Sequence, residues 1–437
     1  MNLYFLYLIL NMLIKNALIV TMDKNKRIIN GDILIEGNKI TKIGKDLKDD
    51  EIIDAKGMVA LPGFVNTHGH VGMTLLRGQF DDMQLQDWLK KCWELESKLN
   101  AENVYISSLL GCIEMIKAGI TFFADMYYFG DSVFKAVNDS GIRCLFSQVI
   151  VESPYVMEFK NSEEALKILL GLINRHKNDE KNIVSAGPHA IYTCSEETLL
   201  KVKEIADENN LLVHIHLSET KKEVEDCLKN NGKRPVEYLD SLGFLSENVL
   251  AVHCCWLTEK EIKILKEREV RISHCPVSNM KLATGIAPVT KLIDNGISIG
   301  IGTDSSVSNN RLDMFQEMKI ASILQKINNF NTMVLTAEKI LEMATIGGAK
   351  ALGIDDRLGS IEVGKLADII LIDFNKPHLT PMNNVYSHLV YAAQASDVDT
   401  VICNGKVLMK NRRVLTINEN EVMEKAELAK EDLLSRK

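Results

Sequence analysis

The middle of the chain alternates short apolar runs with longer amphipathic stretches. The apolar runs fit buried β-strands at residues 59–68, 120–126, 142–151, 183–192, 211–217, 249–254, 270–275 and 298–304. Amphipathic segments such as SEETLLKVKEIADEN lie between them and predict helices. Eight strand-then-helix units within about 250 residues predict an α/β protein with a (β/α)8 TIM barrel. A doubly wound open sheet is the alternative, although no G-x-G-x-x-G motif follows a strand to support it.

The two ends of the chain carry a different pattern of short strands and turns. Residues 12–60 contain the runs NALIVTMD, DILIEG and KITKIG, and residues 359–420 repeat this pattern with an Asn-Gly turn. We therefore expect a small β-sandwich domain formed by both termini. The catalytic barrel is expected at 61–358 and a C-terminal helix at 421–437.

The first eleven residues, MNLYFLYLILN, are apolar but do not fit a signal peptide. They lack a basic beginning, and no A-x-A-like cleavage site follows them. Because Met12 opens the pattern of the first strand, we expect residues 1–11 to be a mis-assigned start or a loose tail.

Composition narrows the class of function. The 437 residues include 51 basic and 59 acidic side chains, for a formal net charge of −8, and 46% of the residues are apolar. These values are typical of a globular protein and exclude a disordered chain. The absence of a basic tract argues against nucleic-acid binding, and no apolar run is long enough to predict a membrane span. Nine cysteines without a CxxC pair indicate free thiols in a reducing cytoplasm.

Histidines gather at one end of the predicted barrel. Seven of the ten lie near the C-terminal ends of five predicted strands: His68, His70, His189, His214, His216, His253 and His274. In a (β/α)8 barrel that end carries the active site, whereas histidines of a packed core would show no such preference.

Three of these histidines suit a metal site. His68 and His70 share one face of the first strand, with Gly69 between them allowing close approach of a ligand or backbone. His214 and His216 share a face of the fifth strand, and periodicity does not choose between them; we expect His214 to be a buried histidine bonded to a backbone carbonyl.

An aspartate completes this set. Asp304 ends the eighth strand and could be a helix N-cap, but barrel closure would bring it beside the first strand. Three imidazoles and one carboxylate suit a catalytic Zn²⁺, although Fe²⁺, Mn²⁺ or Ni²⁺ could occupy the same ligands.

Further polar residues would surround that metal. Glu219 is either a helix N-terminal carboxylate or a proton donor at the mouth of the site. His189 and His253 would flank the metal and orient substrate or water, while His274 is interpreted as structural. Three cysteines at strand ends could ligate a metal but are more often small buried residues, and we leave them out: Cys254, Cys255 and Cys275.

Several segments together resemble the amidohydrolase superfamily. They are LPGFVNTHGHVGMTLLRG, GPHAIYTC, HIHLSET, HCPVSNMKLATGIAPV and GIGTDSSVSNN. Within that superfamily the chain resembles the 5-methylthioadenosine/S-adenosylhomocysteine deaminases, and among these the archaeal 5′-deoxyadenosine deaminases. The resemblance covers nearly the whole chain from about Met12.

The resemblance implies a role for each matching residue. The metal ligands would be His68, His70, His216 and Asp304, the proton-shuttling residue Glu219 and the water-orienting residue His253. Substrate contacts would come from His189, Glu219, Asp304 and a carboxylate of the 88–99 helix, which we place at Glu96 with Glu94 as the alternative. His189 stands where relatives with two metals have a carboxylated lysine, so one divalent metal per subunit is expected.

The resemblance also implies the reaction. Water activated by the metal would replace the amino group at C6 of adenine in a 5′-modified adenosine, during salvage of S-adenosylmethionine by-products. Relatives that accept homocysteine carry an arginine after the G-[MI]-R segment, where this chain has Gln148. Because glutamine cannot pair with a carboxylate as arginine does, small uncharged 5′ groups are expected.

Two other interpretations of the function of these segments stay open. The rivals are another ring amidohydrolase, such as a guanine or pterin deaminase or a dihydroorotase-like enzyme, and a non-catalytic assembly protein. The resemblance further implies a homo-oligomer, either a tetramer or a dimer, with a small-molecule nucleoside substrate.

Overall fold

The computed structural model describes residues 11–83, 85–152 and 158–436. The expectation for residues 1–11 falls outside these ranges except at Asn11, which begins the first strand. Among the described residues, no helix combines the length and the apolar character needed to cross a membrane.

Strands and helices alternate through most of the described chain. The strands are β1 (Asn11–Val20), β2 (Ile28–Glu36), β3 (Lys39–Gly44), β4 (Ile52–Asp54), β5 (Met58–Pro62), β6 (Phe64–Asn66), β7 (Ile120–Tyr127), β8 (Arg143–Ile150), β9 (Asn182–Pro188), β10 (Val213–Leu217), β11 (Val249–His253), β12 (Arg271–His274), β13 (Ile299–Ile301), β14 (Ile369–Asp373), β15 (Val398–Cys403), β16 (Lys406–Lys410) and β17 (Arg413–Val414). The helices are α1 (Leu85–Glu96), α2 (Ala101–Lys117), α3 (Gly130–Ser140), α4 (Ser162–His176), α5 (Glu196–Glu208), α6 (Lys221–Asn231), α7 (Pro235–Ser241), α8 (Glu259–Glu267), α9 (Pro276–Lys281), α10 (Val289–Asp294), α11 (Met314–Asn328), α12 (Ala337–Ala344), α13 (Ile346–Leu352), α14 (Val385–Ser387) and α15 (Glu419–Ser435).

Strands β6 to β13 form the barrel, in chain order and all parallel. The first and last of these strands meet, because Thr67 N–H donates to Ile301 O and Asp304 N–H donates to His68 O, both at 3.0 Å. Several strands, such as β7 and β8, are buried along their whole length, as expected for a parallel sheet covered by helices. The (β/α)8 barrel is confirmed, and the open sheet is excluded.

The apolar run 59–68 holds two strands rather than one. Its first half, β5, pairs antiparallel with β14 of the terminal sheet, and its second half, β6, begins the barrel. The chain changes sheet at Gly63, where a Cβ atom would lie 2.2 Å from Thr121 Oγ1. The terminal sheet therefore extends to Pro62, two residues beyond the expected boundary.

Strands from both ends build the second, mostly antiparallel sheet. Its order is β17-β16-β15-β14-β5-β1-β2-β3, with β4 beside β1. The sheet curls back on itself, since Lys39 forms a bridge with Leu366 and Ala367 N–H donates to Asn38 O at 2.8 Å. Its interior is aliphatic and fully buried, and includes Ile14, Ile33, Ile35, Ile369 and Leu371.

Two segments near the C-terminus depart from the expected boundaries. Residues 374–397, between β14 and β15, do not join the sheet; part of this segment packs on α11, where the Ser322 and Tyr391 hydroxyls lie 2.7 Å apart. The C-terminal helix, α15, begins at Glu419 rather than 421 because Asn418 is its N-cap.

A buried ion pair of 2.5 Å between Arg143 and Asp368 joins the barrel to the terminal sheet.

Candidate metal and substrate site

A cavity of about 550 Å³ opens at the C-terminal ends of the barrel strands. Residues that line it include His70, His216, Glu219, His253 and Asp304, which follow or end four different strands. Side chains predicted from distant parts of the sequence therefore meet in one space.

Three imidazoles and one carboxylate converge at the base of this cavity. The donor atoms of His68, His70 and His216 lie within 4.8 Å of one another. The Oδ1 atom of Asp304 is 3.4 Å from Nε2 of His68 and 3.3 Å from Nε2 of His70. A second group with the same spacing joins His68 and Asp304 to His253.

Hydrogen bonds on the far side of the rings aim the imidazoles at this cluster. His70 donates from Nδ1 to Met126 O at 2.7 Å, and His216 donates from Nδ1 to His189 O at 2.8 Å. The Nε2 atom of His68 is buried and has no hydrogen-bond partner. A metal-binding histidine ordinarily donates its other ring N–H in this way. The donor set therefore fits one divalent cation.

Asp304 is held in an unusual backbone conformation. Its φ is +58°, a left-handed value that a non-glycine residue adopts only where its surroundings hold it there. Ser305 N–H donates to Oδ1 at 2.8 Å, and the Ser278 hydroxyl donates to Oδ2. Burial opposes its ionisation, but His68 and His70 hold the pKa of Asp304 well below its usual value. The cluster thus contains a fixed negative charge.

Close approach in this cluster involves a different glycine from the one expected. A Cβ atom on Gly69 would lie 3.6 Å from its nearest neighbour, Ala124 O, which is an ordinary contact. A Cβ atom on Gly302 would lie 2.8 Å from Cβ of His68. The glycine that the packing requires is therefore on the eighth barrel strand, beside the first.

Glu219 and His253 face each other above the cluster. Glu219 Oε2 lies 3.9 Å from His253 Nε2, and burial raises the pKa of Glu219. The Asn279 amide donates to His253 Nδ1 at 3.0 Å, so the ring presents its Nε2–H towards the cavity. This arrangement places a carboxyl group that tends to keep its proton next to a hydrogen-bond donor.

Glu219 does not cap the helix that follows it. The N-cap of α6 is Thr220, and the carboxylate of Glu223 accepts N–H groups from Ser218 at 2.8 Å and Glu219 at 2.7 Å. The side chain of Glu219 is therefore left free to face the cavity. Of its two interpretations, the helix N-terminal carboxylate does not fit this geometry.

The side chains of the two candidate glutamates of α1 lie in different surroundings. Glu96 lines the cavity and accepts a hydrogen bond of 2.7 Å from Tyr127 Oη, and burial raises its pKa to about 7. Glu94 is half exposed and lies 3.9 Å from Lys90. The structure thus brings Glu96 to the site and leaves Glu94 on the surface.

His189 lines the same wall of the cavity. Its Nδ1 atom is 2.9 Å from Thr193 Oγ1, and its ring lies edge-on to Trp93 with centroids 6.5 Å apart. Burial, together with the neighbouring histidines, lowers its pKa to about 3. A neutral imidazole therefore faces the cavity.

The pattern of the amidohydrolase family matches residues 59–408, which is most of the chain and spans every barrel strand. The chain belongs to the amidohydrolase family. A 5′-deoxyadenosine deaminase of Methanosarcina acetivorans is 47% identical over 432 residues, covering 98% of this chain and 99% of that protein. A 5-methylthioadenosine/S-adenosylhomocysteine deaminase of Thermoanaerobacter pseudethanolicus is 45% identical over 434 residues, covering 98% and 100%.

A solved structure has the same overall shape. It is an adenosine deaminase from Xanthomonas campestris with bound zinc, 32% identical to this amidohydrolase. The TM-score is 0.95, and the match covers 97% of this chain and 99% of that one.

Some neighbours of the site in this amidohydrolase were not anticipated. His214 was expected to bond to a backbone carbonyl, but its Nε2 atom lies 2.8 Å from Nδ1 of His68. No contact was predicted for Ser278 and Asn279, although both lie in the segment HCPVSNMKLATGIAPV. None was predicted for Glu223 either, although T-x-x-E before a helix is typical of a capping box.

The remaining candidates lie outside the cluster. His274 is buried with neither ring nitrogen hydrogen-bonded, and it does not line the cavity. All nine cysteines are unpaired and buried. Burial raises the pKa of the three strand-end thiols, which favours the protonated form over a thiolate ligand: Cys254, Cys255 and Cys275.

Proposed function

We propose that this amidohydrolase hydrolyses the C6 amino group of 5′-modified adenosines, releasing ammonia and the inosine analogue. The substrates are 5′-deoxyadenosine and 5′-methylthioadenosine, with S-adenosylhomocysteine and adenosine as poorer ones, in salvage of S-adenosylmethionine by-products. The observation that carries the proposal is Glu219, a buried carboxyl with a raised pKa beside a cluster of three imidazoles and a carboxylate. The activities named for the relatives from Methanosarcina and Thermoanaerobacter support it.

The ligand set would be His68, His70, His216 and Asp304, holding one divalent cation per subunit that we take to be Zn²⁺. Such a cation lowers the pKa of a bound water towards about 7, which supplies hydroxide at neutral pH. The alternative occupants Fe²⁺, Mn²⁺ and Ni²⁺ are distinguished by metal analysis of the purified protein. The zinc in the Xanthomonas structure supports this assignment.

Three side chains then move and guide the protons. Glu219, whose pKa is raised by burial, gives its proton to N1 of the adenine ring and makes C6 electrophilic. Asp304 takes one proton from the attacking water, while the Nε2–H of His253 orients the oxygen that adds to C6. When the C6–N bond breaks, the proton from Asp304 leaves with ammonia and Glu219 recovers its own from the added hydroxyl. The two protons of one water are thereby accounted for.

The ribose would be held on the opposite wall of the cavity. Glu96 accepts hydrogen bonds from ribose hydroxyls, with Tyr127 fixing one of its oxygens at 2.7 Å. His189, neutral because burial lowers its pKa, contributes a second polar contact. These contacts would fix the position of the ribose in the cavity, and hence the position of N1 relative to Glu219.

The described lining of the cavity supports a small uncharged 5′ group. Arginine is absent from these lining residues; their cations are Lys90 and Lys222, and the carboxylate of Glu152 occupies part of the wall. Gln148, which stands in place of an arginine, donates to Glu158 at 3.0 Å. An amino-acid carboxylate on the 5′ group would therefore lack a bidentate partner.

We also propose that the enzyme is a cytoplasmic homo-oligomer, a tetramer or a dimer. The nine unpaired thiols support a reducing compartment. Apolar side chains around the end of α11 are strongly exposed, with Phe330 at 91% and Met333 at 76%, which supports a subunit contact. Light scattering of the purified protein measures the oligomeric state.

The test is an ammonia-release screen with the zinc-loaded protein. Its substrates are 5′-deoxyadenosine, 5′-methylthioadenosine, S-adenosylhomocysteine, adenosine, guanine and a pterin. Dihydroorotate, whose ring opening releases no ammonia, is followed by chromatography. Ammonia from the 5′-modified adenosines supports the proposal. Release only from guanine or the pterin, or ring opening of dihydroorotate, would replace it with a different ring amidohydrolase.

A further inference from the structure

A line of four buried polar side chains runs from the metal cluster into the barrel core. Nδ1 of His68 lies 2.8 Å from Nε2 of His214, and Nδ1 of His214 lies 2.9 Å from Oγ of Ser147. The line ends at Ser185, whose Oγ is 2.6 Å from that of Ser147. All four side chains have no exposed surface, so their polar atoms must satisfy one another.

A cation bound to His68 would determine which ring nitrogen or hydroxyl carries a proton at each position of this line. If Nε2 of His68 binds a cation, the ring carries its proton on Nδ1 and donates it to Nε2 of His214. His214 then carries its own proton on Nδ1 and donates it to Ser147, whose hydroxyl is free to donate to Ser185. Each donor from His68 to Ser147 thus meets an acceptor.

His68 differs in this respect from the other two imidazoles of the cluster. His70 and His216 donate to main-chain carbonyls, which no side-chain substitution removes. His68 depends on a side chain, and the two rings meet edge-on at 80° with centroids 4.9 Å apart. The orientation of His68 is therefore sensitive to the identity of residue 214.

We propose that His214 is a positioning residue that fixes the tautomer and orientation of His68 and thereby sets the metal affinity of the site. The proposal rests on the metal site of the proposed function. His214 is not one of the proposed metal ligands and does not line the cavity, so this role is a separate one. Loss of such a hydrogen-bond partner typically weakens metal binding by about 10- to 100-fold.

The test measures Zn²⁺ affinity by competition with a chelator, without any nucleoside. His214→Leu removes the acceptor, and we expect a loss of affinity of about 10- to 100-fold. His214→Gln keeps an acceptor for His68 and a donor for Ser147, and should restore most of it. His274→Leu is the matched control, a buried strand-end histidine without a ring hydrogen bond, and should bind Zn²⁺ like the parent.

A second readout separates positioning from simple destabilisation. With Co²⁺ in place of zinc, the visible absorption spectrum should change in His214→Leu and return in His214→Gln, whatever the melting temperatures of the metal-free proteins. Parent-like Zn²⁺ affinity in folded His214→Leu would overturn the proposal. If that variant does not fold, Ser147→Ala decides: a several-fold loss supports the proposal, and parent-like affinity overturns it.

This experiment is independent of the reaction. A parent protein that binds Zn²⁺ tightly but deaminates no nucleoside would refute the proposed function and leave the role of His214 to be judged by its own variants. Conversely, an active parent whose His214→Leu variant keeps full Zn²⁺ affinity refutes only the role of His214.

Discussion

The Oε2 atom of Glu219 lies 3.9 Å from Nε2 of His253, because Glu219 follows β10 and His253 ends β11, the neighbouring strand of the barrel. The pairing of Leu217 with His253 between β10 and β11 brings them together, because Glu219 follows β10 after one turn residue, Ser218. A proton donor, Glu219, and a hydrogen-bond donor, His253, thus face the same part of the cavity. The first prediction depends on this pair.

Glu219→Gln should lower kcat by about 10²- to 10⁴-fold, since the amide cannot give a proton to N1. The zinc content should stay that of the parent, because Glu219 is not among the four ligands. Steady-state kinetics with 5′-deoxyadenosine and metal analysis measure the two quantities. Glu225→Gln, on an exposed part of the following helix, is the matched control. Unchanged kcat in Glu219→Gln would remove Glu219 from the mechanism.

Glu96→Gln should lower kcat/KM by roughly 10- to 100-fold, mainly through KM, since it weakens a charge-assisted hydrogen bond to the ribose. Glu94→Gln on the same helix should have no effect, because Glu94 is half exposed and faces away from the cavity. A comparison of the two variants with 5′-deoxyadenosine decides between them. The reverse ranking would place the ribose against Glu94.

Glu223 should make the protein less stable as the pH rises. Burial raises its pKa to about 8 from an ordinary value of 4.5, so between these values the folded state binds more protons than the unfolded state. Unfolding then releases protons, and this contribution to stability, fully present below pH 4.5, is lost as the pH rises to 8. The slope is at most about 1.4 kcal/mol per pH unit.

Glu223→Gln removes that titration. Denaturant unfolding of both proteins between pH 5 and pH 8 should show a shallower decline of the free energy of unfolding in the variant. Asp125, whose pKa burial also raises to about 7, keeps its contribution in both proteins and so cancels in the comparison. Identical slopes would show that Glu223 is ionised in the folded protein throughout this range.

The 5′ group should be selected by charge and size. We expect kcat/KM for 5′-deoxyadenosine and 5′-methylthioadenosine to exceed that for S-adenosylhomocysteine, because the described cavity lining offers an amino-acid carboxylate no bidentate arginine, only the single amino groups of Lys90 and Lys222. Competition assays with mixed nucleosides measure the ratio directly. A preference for S-adenosylhomocysteine would point to Lys90 or Lys222, which line the cavity, as the partner of that carboxylate.

Most of the barrel strands could be predicted from the sequence, because each strand is a short apolar run of a buried parallel sheet. His68, His70 and Asp304 were predicted for a related reason, since polar residues at strand ends share one face of such a barrel. The choice of His216 over His214 came from the family resemblance. The prediction was wrong at residues 59–68, where one apolar run forms strands of two different sheets. The break at Gly63 could not be predicted, because it is imposed by Thr121 on another strand.

Contacts between distant residues could not be predicted in this way. The bond from His214 to His68 joins side chains 146 positions apart, and both rings look alike to a periodicity argument. The choice between Glu94 and Glu96 depended on the register of α1, which a two-residue shift reverses. Local pattern therefore found the residue types of the site, and packing decided their partners.

The reaction itself is tested most directly in water enriched in ¹⁸O. Zinc-loaded protein is incubated with 5′-deoxyadenosine, and the products are analysed by mass spectrometry and an ammonia assay. The account predicts 5′-deoxyinosine with one ¹⁸O at C6 and one ammonia released for each molecule formed. Free adenine, or no ammonia from any 5′-modified adenosine, would contradict it.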